Sequence, residues 1–165
     1  MSVIIKKFVS NILLILLAAV SLSAHGETEL IPFVSGSYQE ILANNANNPF
    51  MLVVWSINCS SCLKDLEQLN DIQTQNPGIK IIMLAVDELS DTDKIERILK
   101  QQQLDDTERW VFAEENSQKL RFEIDPKWYG EIPRAYFFDS AHHRTGVSGL
   151  MSREDYDGML AKISE

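Results

Sequence analysis

The chain carries two cysteines, and both fall within the stretch Val53-Val54-Trp55-Ser56-Ile57-Asn58-Cys59-Ser60-Ser61-Cys62. Thiols at this spacing can close a disulfide, ligate a metal, or exchange electrons with the thiols of another protein. A disulfide that closes so short a loop restrains little of the unfolded chain, because that effect grows with loop length. A metal would ask for two further ligands. A second Cys-x-x-Cys is absent, and the only histidines are His25 and the adjacent pair His142-His143 in a polar turn. Exchange of electrons is the chemistry the pair supports best.

That chemistry needs a particular setting. A thiol becomes a nucleophile only as the thiolate, and a helix N-terminus, with its free N–H groups and the positive end of its dipole, stabilises that anion. The sequence supplies such a place. Phe50 to Ser56 is a continuous apolar run that predicts a buried central strand. Ser60 to Gln75 then has Leu63, Leu66, Leu69 and Ile72 at helical spacing, and Pro77-Gly78 ends it. Cys59 therefore falls at the junction of strand and helix. Cys62, a turn further in, is expected to be the less exposed thiol and the one that resolves a mixed disulfide.

The remaining elements alternate in type. Ser37 to Ala43 predicts a short helix closed by the Asn-rich turn Asn44 to Pro49. Ile79 to Val86 predicts a second buried strand, and Ser90 with Asp93 an approximate capping box for the helix carrying Ile95, Ile98 and Leu99. Trp110 to Ala113 reads as a strand, Ser117 to Phe122 as a helix, and Ala135 to Asp139 as a further strand. A turn over Ser140 to Gly146 leads to Val147, and Ser152 with Asp155 opens a final helix. Strands alternating with helices imply an α/β fold with a partly parallel sheet that ends in a hairpin and a helix.

The 165 residues carry a net charge of −9. Lys6 and Lys7, the apolar run Ile12 to Val20 and the small residues Ser21, Ser23 and Ala24 follow the order of a secretory signal. Residues 1–24 are expected to be that signal, or an uncleaved membrane anchor, and residues 25–165 one domain. Loss of residues 1–24 removes two lysines and no acid, leaving thirteen basic against twenty-four acidic residues, a net −11. Phosphate neutralisation needs clustered Lys and Arg, so nucleic acid is excluded as a partner. Export would place the cysteines in an oxidising compartment, the periplasm, where disulfides persist.

Trp55, the Cys-x-x-Cys and the helix behind it, together with Tyr129-Gly130-Glu131-Ile132-Pro133 directly before a strand, resemble the thioredoxin superfamily over nearly all of residues 30–165. The signal, the acidic charge and the insert-like segment Leu89 to Leu120 are similar to the TlpA/ResA-like envelope group. The resemblance implies a thioredoxin-like fold, a central mixed sheet flanked by helices, and a thiol-disulfide oxidoreductase that reduces protein disulfides without a cofactor. It implies Cys59 as nucleophile, Cys62 as resolving thiol, and Pro133 as a cis-proline facing the substrate. Ile132, Trp55 and Asn58 become substrate-contact positions. The implied partners are protein thiols and disulfides, a membrane electron donor and a cytochrome c maturation client. The same residues run in reverse would give an oxidase or isomerase, and a non-catalytic binding module using Trp128 and Tyr129 is the third reading.

The departures are specific. The superfamily usually has Trp where this chain has Asn58, and thioredoxin has a buried Asp where this chain has Val53. The base that deprotonates Cys62 is thereby left unassigned, with Glu131 a candidate. Arg134, after the proline, is either an exposed edge charge or a group that steers an acidic partner or steadies the thiolate.

Overall fold

The computed structural model describes residues 29–164. The expected signal segment, the boundary at residue 24 and His25 lie outside them.

The strand-forming runs build one sheet of six strands. They are β1 (Ile31–Phe33), β2 (Phe50–Trp55), β3 (Lys80–Ala85), β4 (Glu108–Phe112), β5 (Arg134–Phe138) and β6 (Arg144–Ser148). Their spatial order is β1-β4-β3-β2-β5-β6. β1, β4, β3 and β2 run parallel, whereas β5 and β6 are antiparallel to their neighbours, so the sheet is mixed. β2 is flanked on both sides and every one of its residues is buried, which is what its unbroken apolar run requires.

Among the described residues, five α-helices cover the sheet: α1 (Ser37–Asn44), α2 (Ser60–Gln75), α3 (Thr92–Gln101), α4 (Ser117–Ile124) and α5 (Arg153–Ile163). Alternation along β2 divides the core in two. Met51, Val53 and Trp55 pack with Cys62, Leu66 and Leu69 of α2, Ile95 and Leu99 of α3, and Tyr156 and Leu160 of α5. Phe50, Leu52 and Val54 pack with Ile41 of α1 and with Leu120 and Ile124 of α4 on the other face. Among the described residues, no helix is long and apolar enough to cross a membrane.

The capping box expected at Ser90 does not form. A single 3-10 turn occupies Leu89–Asp91, α3 starts at Thr92, and the Thr92 hydroxyl donates to Leu89 O (2.7 Å). Asp91 takes the cap position without a side-chain cap and pairs with Lys94 instead. The box at Ser152 does form, with Asp155 N donating to Ser152 Oγ (3.2 Å) and Ser152 N to Asp155 Oδ2 (3.0 Å). The segment Leu89 to Leu120 contributes α3 and the interior strand β4, so it forms part of the sheet itself.

Candidate redox site

β2 ends at Trp55, and the first two residues after it are held by one carboxylate. Asp87, just beyond β3, accepts from Ser56 Oγ (2.8 Å) and from Ile57 N (3.0 Å). Ser56 Oγ accepts in turn from Asn58 N (3.1 Å), and Cys59 N donates to Ser56 O (3.2 Å). Asp87 can do this because β2 and β3 are paired in parallel up to Trp55 and Ala85, which brings both strand ends to the same edge. The sequence carried no signal for this contact beyond an acid after an apolar run.

Cys59 is the N-cap of α2. Its extended backbone (φ −106°, ψ 103°) places Sγ where the amide of Cys62 donates to it at 3.1 Å. The Ser61 hydroxyl lies 3.4 Å from the same sulfur. A sulfur so placed faces two donors and the positive end of a sixteen-residue helix, which favours its anionic form. Cys62 has no exposed surface, whereas Cys59 is half-buried. The two sulfurs are joined, with the Cα atoms 5.2 Å apart. The expected difference in exposure between the two thiols is therefore present.

The peptide bond between Ile132 and Pro133 is cis. Arg134 pairs with Val54, so Pro133 lies beside the end of β2 from which the cysteine loop departs. Pro133 is buried, and its carbonyl accepts from Gly149 N (2.8 Å). Ile132, Cys59 and Ile57 are all half-buried and pack on the same core. Asn58 is exposed beside Cys59. Trp55 is different: it has no exposed surface, so its ring supports the loop from beneath and presents nothing to a partner. Trp128 is also buried, its indole N–H donating to Glu131 O (2.9 Å), which leaves Tyr129, 90 % exposed, as the surface aromatic of that segment.

Arg134 is neither an exposed edge charge nor a neighbour of the sulfurs. It lies on the sheet face opposite Cys62, 4.7 Å from the Tyr136 ring centroid, and pairs with Asp125 at 3.2 Å. Arg144 pairs with the other Asp125 oxygen at 3.1 Å, and its guanidinium also lies over Tyr136. Burial outweighs the two cations at Tyr136 and pushes its hydroxyl up to about 12. The two histidines among the described residues are likewise occupied. His142 packs edge-on against Phe50 and shares a hydrogen bond with Asn45 O (3.0 Å), while His143 pairs with Asp139.

A second polar residue near the dithiol, besides Asp87, escaped the sequence reading. Asp65, the third residue after Cys62 on α2, is 2 % exposed. Tyr156 of α5 donates to its Oδ2 at 2.7 Å, and Gln68 Nε2 donates to Oδ1 at 3.2 Å. Burial raises the Asp65 carboxyl above its ordinary range, and the donors from Tyr156, Gln68 and the Met151 backbone offset only part of that. An acid inside a helical pattern reads as a solvated position, so only the docking of α5 reveals it.

No family model and no curated protein sequence matches the chain. Solved structures do match. The chain is similar to a secreted disulfide oxidoreductase of Mycobacterium tuberculosis homologous to E. coli DsbE, with a TM-score of 0.58 at 18 % identity, covering 73 % of this chain and 85 % of that one. It is similar to a thiol:disulfide interchange protein of the thioredoxin family from Chlorobium tepidum, with a TM-score of 0.61 at 16 % identity, covering 75 % and 85 %. It is also similar to StoA of Bacillus subtilis, with a TM-score of 0.53 at 15 % identity, covering 71 % and 85 %. The sheet order, the Cys-x-x-Cys at the head of α2 and the proline before β5 thus have a common explanation: the chain has the thioredoxin-like fold.

Proposed function

We propose that the protein is a thiol-disulfide oxidoreductase that reduces protein disulfides. The observation that carries this is the unequal pair at the head of α2: a half-buried Cys59 sulfur facing the Cys62 amide, and a fully buried Cys62 behind it. In the reduced protein the Cys59 thiolate attacks one sulfur of the partner's disulfide. That bond breaks, the other partner sulfur leaves as a thiolate, and a mixed disulfide joins Cys59 to the sulfur it attacked. Cys62 gives up its proton and attacks the Cys59 sulfur, expelling the second partner thiolate. Two electrons have passed to the partner, and the protein holds the Cys59–Cys62 disulfide.

The surrounding residues have definite tasks in this scheme. Asp87 fixes the loop, so the nucleophile is positioned before the partner arrives. Asn58, Ile132 and Pro133 border Cys59 and receive the partner's backbone around the scissile disulfide. Asp65, one helical turn beyond Cys62, accepts the Cys62 proton. Residues on adjacent turns of a helix are roughly 5–6 Å apart at Cβ.

The compartment and partners follow the same reading. Residues 1–24 direct export to the periplasm, a membrane dithiol donor returns the electrons, and a cytochrome c precursor is the client. The export reading is supported by the basic-apolar-small order of the N-terminus and by the secreted neighbour from Mycobacterium tuberculosis.

The test is a trap. A Cys62→Ser variant expressed in cells should accumulate a mixed disulfide through Cys59, from which the client can be identified. A Cys59→Ser variant should accumulate none. Equilibration in thiol redox buffers then sets the direction. A potential near about −270 mV fits a reductant, and one near about −120 mV would make the protein an oxidant. Absence of any reversible couple would refute the redox reading.

A further inference from the structure

We propose that Tyr156 is a positioning residue of the redox site, whose hydroxyl holds Asp65 in the form that can take the proton of Cys62. The inference rests on the function proposed above and adds α5 to the machinery. Asp65 and Tyr156 are both buried and lie ninety-one residues apart in sequence, yet meet at 2.7 Å with Tyr156 donating. This bond is shorter than the one the carboxylate receives from Gln68. Gln68 reaches the other oxygen at 3.2 Å and gives its better bond, 2.9 Å, to Met151 O.

Few other groups face the carboxyl. α2 contributes Gln68, α5 contributes Tyr156, and the turn before α5 contributes the Met151 backbone, while Cys62 is buried one turn earlier on the same helix. From the sheet the nearest ring against Tyr156 is Phe137, at 6.0 Å. Among the described residues, no Lys, Arg or His pairs with Asp65. A buried carboxylate with no cation depends on its hydrogen-bond donors to remain an anion. If the contact served only to hold α5 on α2, a neutral amide would do so without that cost. A carboxyl adds one property, a titratable proton one helical turn from a buried thiol.

The proton count closes. The proton leaving Cys62 is taken by the Asp65 carboxylate as the Cys62 sulfur attacks Cys59. It then passes to the second partner thiolate as that group departs. Tyr156 keeps its own proton throughout and acts by stabilising the carboxylate beforehand.

The experiment compares single-turnover reduction of glutathione disulfide by the reduced wild-type protein and by Tyr156→Phe across the acid and neutral pH range. Alkylation of Cys59 by iodoacetamide, in a Cys62→Ser background with and without Tyr156→Phe, reports the first step separately. Loss of a hydrogen bond to a charged group should move the acid limb of the turnover profile upward by about one to two pH units. The Cys59 alkylation profile should not move. An unmoved turnover profile in Tyr156→Phe overturns the proposal, and so does an equal shift of both profiles. Should Tyr156→Phe fail to fold, Asp65→Asn replaces it. An acid limb that persists unchanged in that variant overturns the proposal, and its loss supports it. A wild-type protein that reduces no disulfide at any pH refutes the proposed function itself, a result distinct from either.

Discussion

Gly146 offers the most quantitative prediction. It sits in β6 directly opposite Tyr136 of β5. A Cβ placed there would lie 2.3 Å from Arg134 Nη2, 2.9 Å from Arg134 Cζ and 2.8 Å from Tyr136 Cε1. The guanidinium can swing aside, but Tyr136 has no exposed surface and its ring cannot. Gly146→Ala therefore displaces Arg134 from the Tyr136 face, from Asp125 at 3.2 Å and from Ser148 Oγ at 2.8 Å, and presses on the ring. A partly shielded cation–π contact contributes about 0.5–2 kcal/mol, and overpacking costs about 1–3 kcal/mol. Asp125 keeps Arg144, so no carboxylate is left unpaired. The expected loss is about 2–4 kcal/mol, read as a lower midpoint in urea at unchanged slope.

The control is Gly158→Ala. Gly158 lies inside α5 with nothing within 4 Å of the added carbon, so the change should stabilise by about 1 kcal/mol. In an Arg134→Ala background the cost of Gly146→Ala should fall to the Tyr136 contact alone. A Gly146→Ala variant within about 0.5 kcal/mol of wild type, the range of an ordinary surface change, would refute the account of this face.

Two further outcomes follow from the cysteine face. Asp87→Asn removes the charge that accepts from Ser56 Oγ and Ile57 N, and should cost about 1.5–3 kcal/mol by denaturant titration. It should also speed deuterium exchange at the Ile57 amide. Asp65 should imprint a pH dependence on folding. Because burial raises its folded-state affinity for a proton, the native state binds more protons than the unfolded chain, and stability falls as pH rises from the ordinary carboxylate range through the raised value. Asp65→Asn should flatten that slope, measured as urea midpoints across pH.

The parts of the fold legible in the sequence are those with a strong period or a strong run. β2 and α2 stand out because one is buried on both faces and the other on one stripe, and their junction locates Cys59. β1 was not legible. Three residues with a central proline carry no alternation, and Pro32 is tolerated because β1 is an edge strand. Ser90 misled because a hydroxyl before a helical stripe resembles a cap, while Thr92 and Asp91 make the local bonds. Asp65, Asp87 and Arg134 share one reason for being missed. Their roles are set by partners thirty or more residues away for the two acids, and for Arg134 by Asp125 before the strand and Ser148 on the neighbouring one, none of which a local pattern encodes.

The loop around Cys59 is tied by Cys59 N to Ser56 O, Leu63 N to Cys59 O, Ile57 N to Asp87 and Asn58 N to Ser56 Oγ, and none of these bonds passes through the sulfur–sulfur link. Cutting that link leaves the backbone anchored where it was. If the protein cycles as proposed above, its two forms should offer partners nearly the same shape, and the difference available for recognition is electrical: a neutral disulfide in one, a thiolate-forming sulfur at a helix N-terminus in the other. On the function proposed above, an electron donor and a client would be told apart by that single charge, without any moving part.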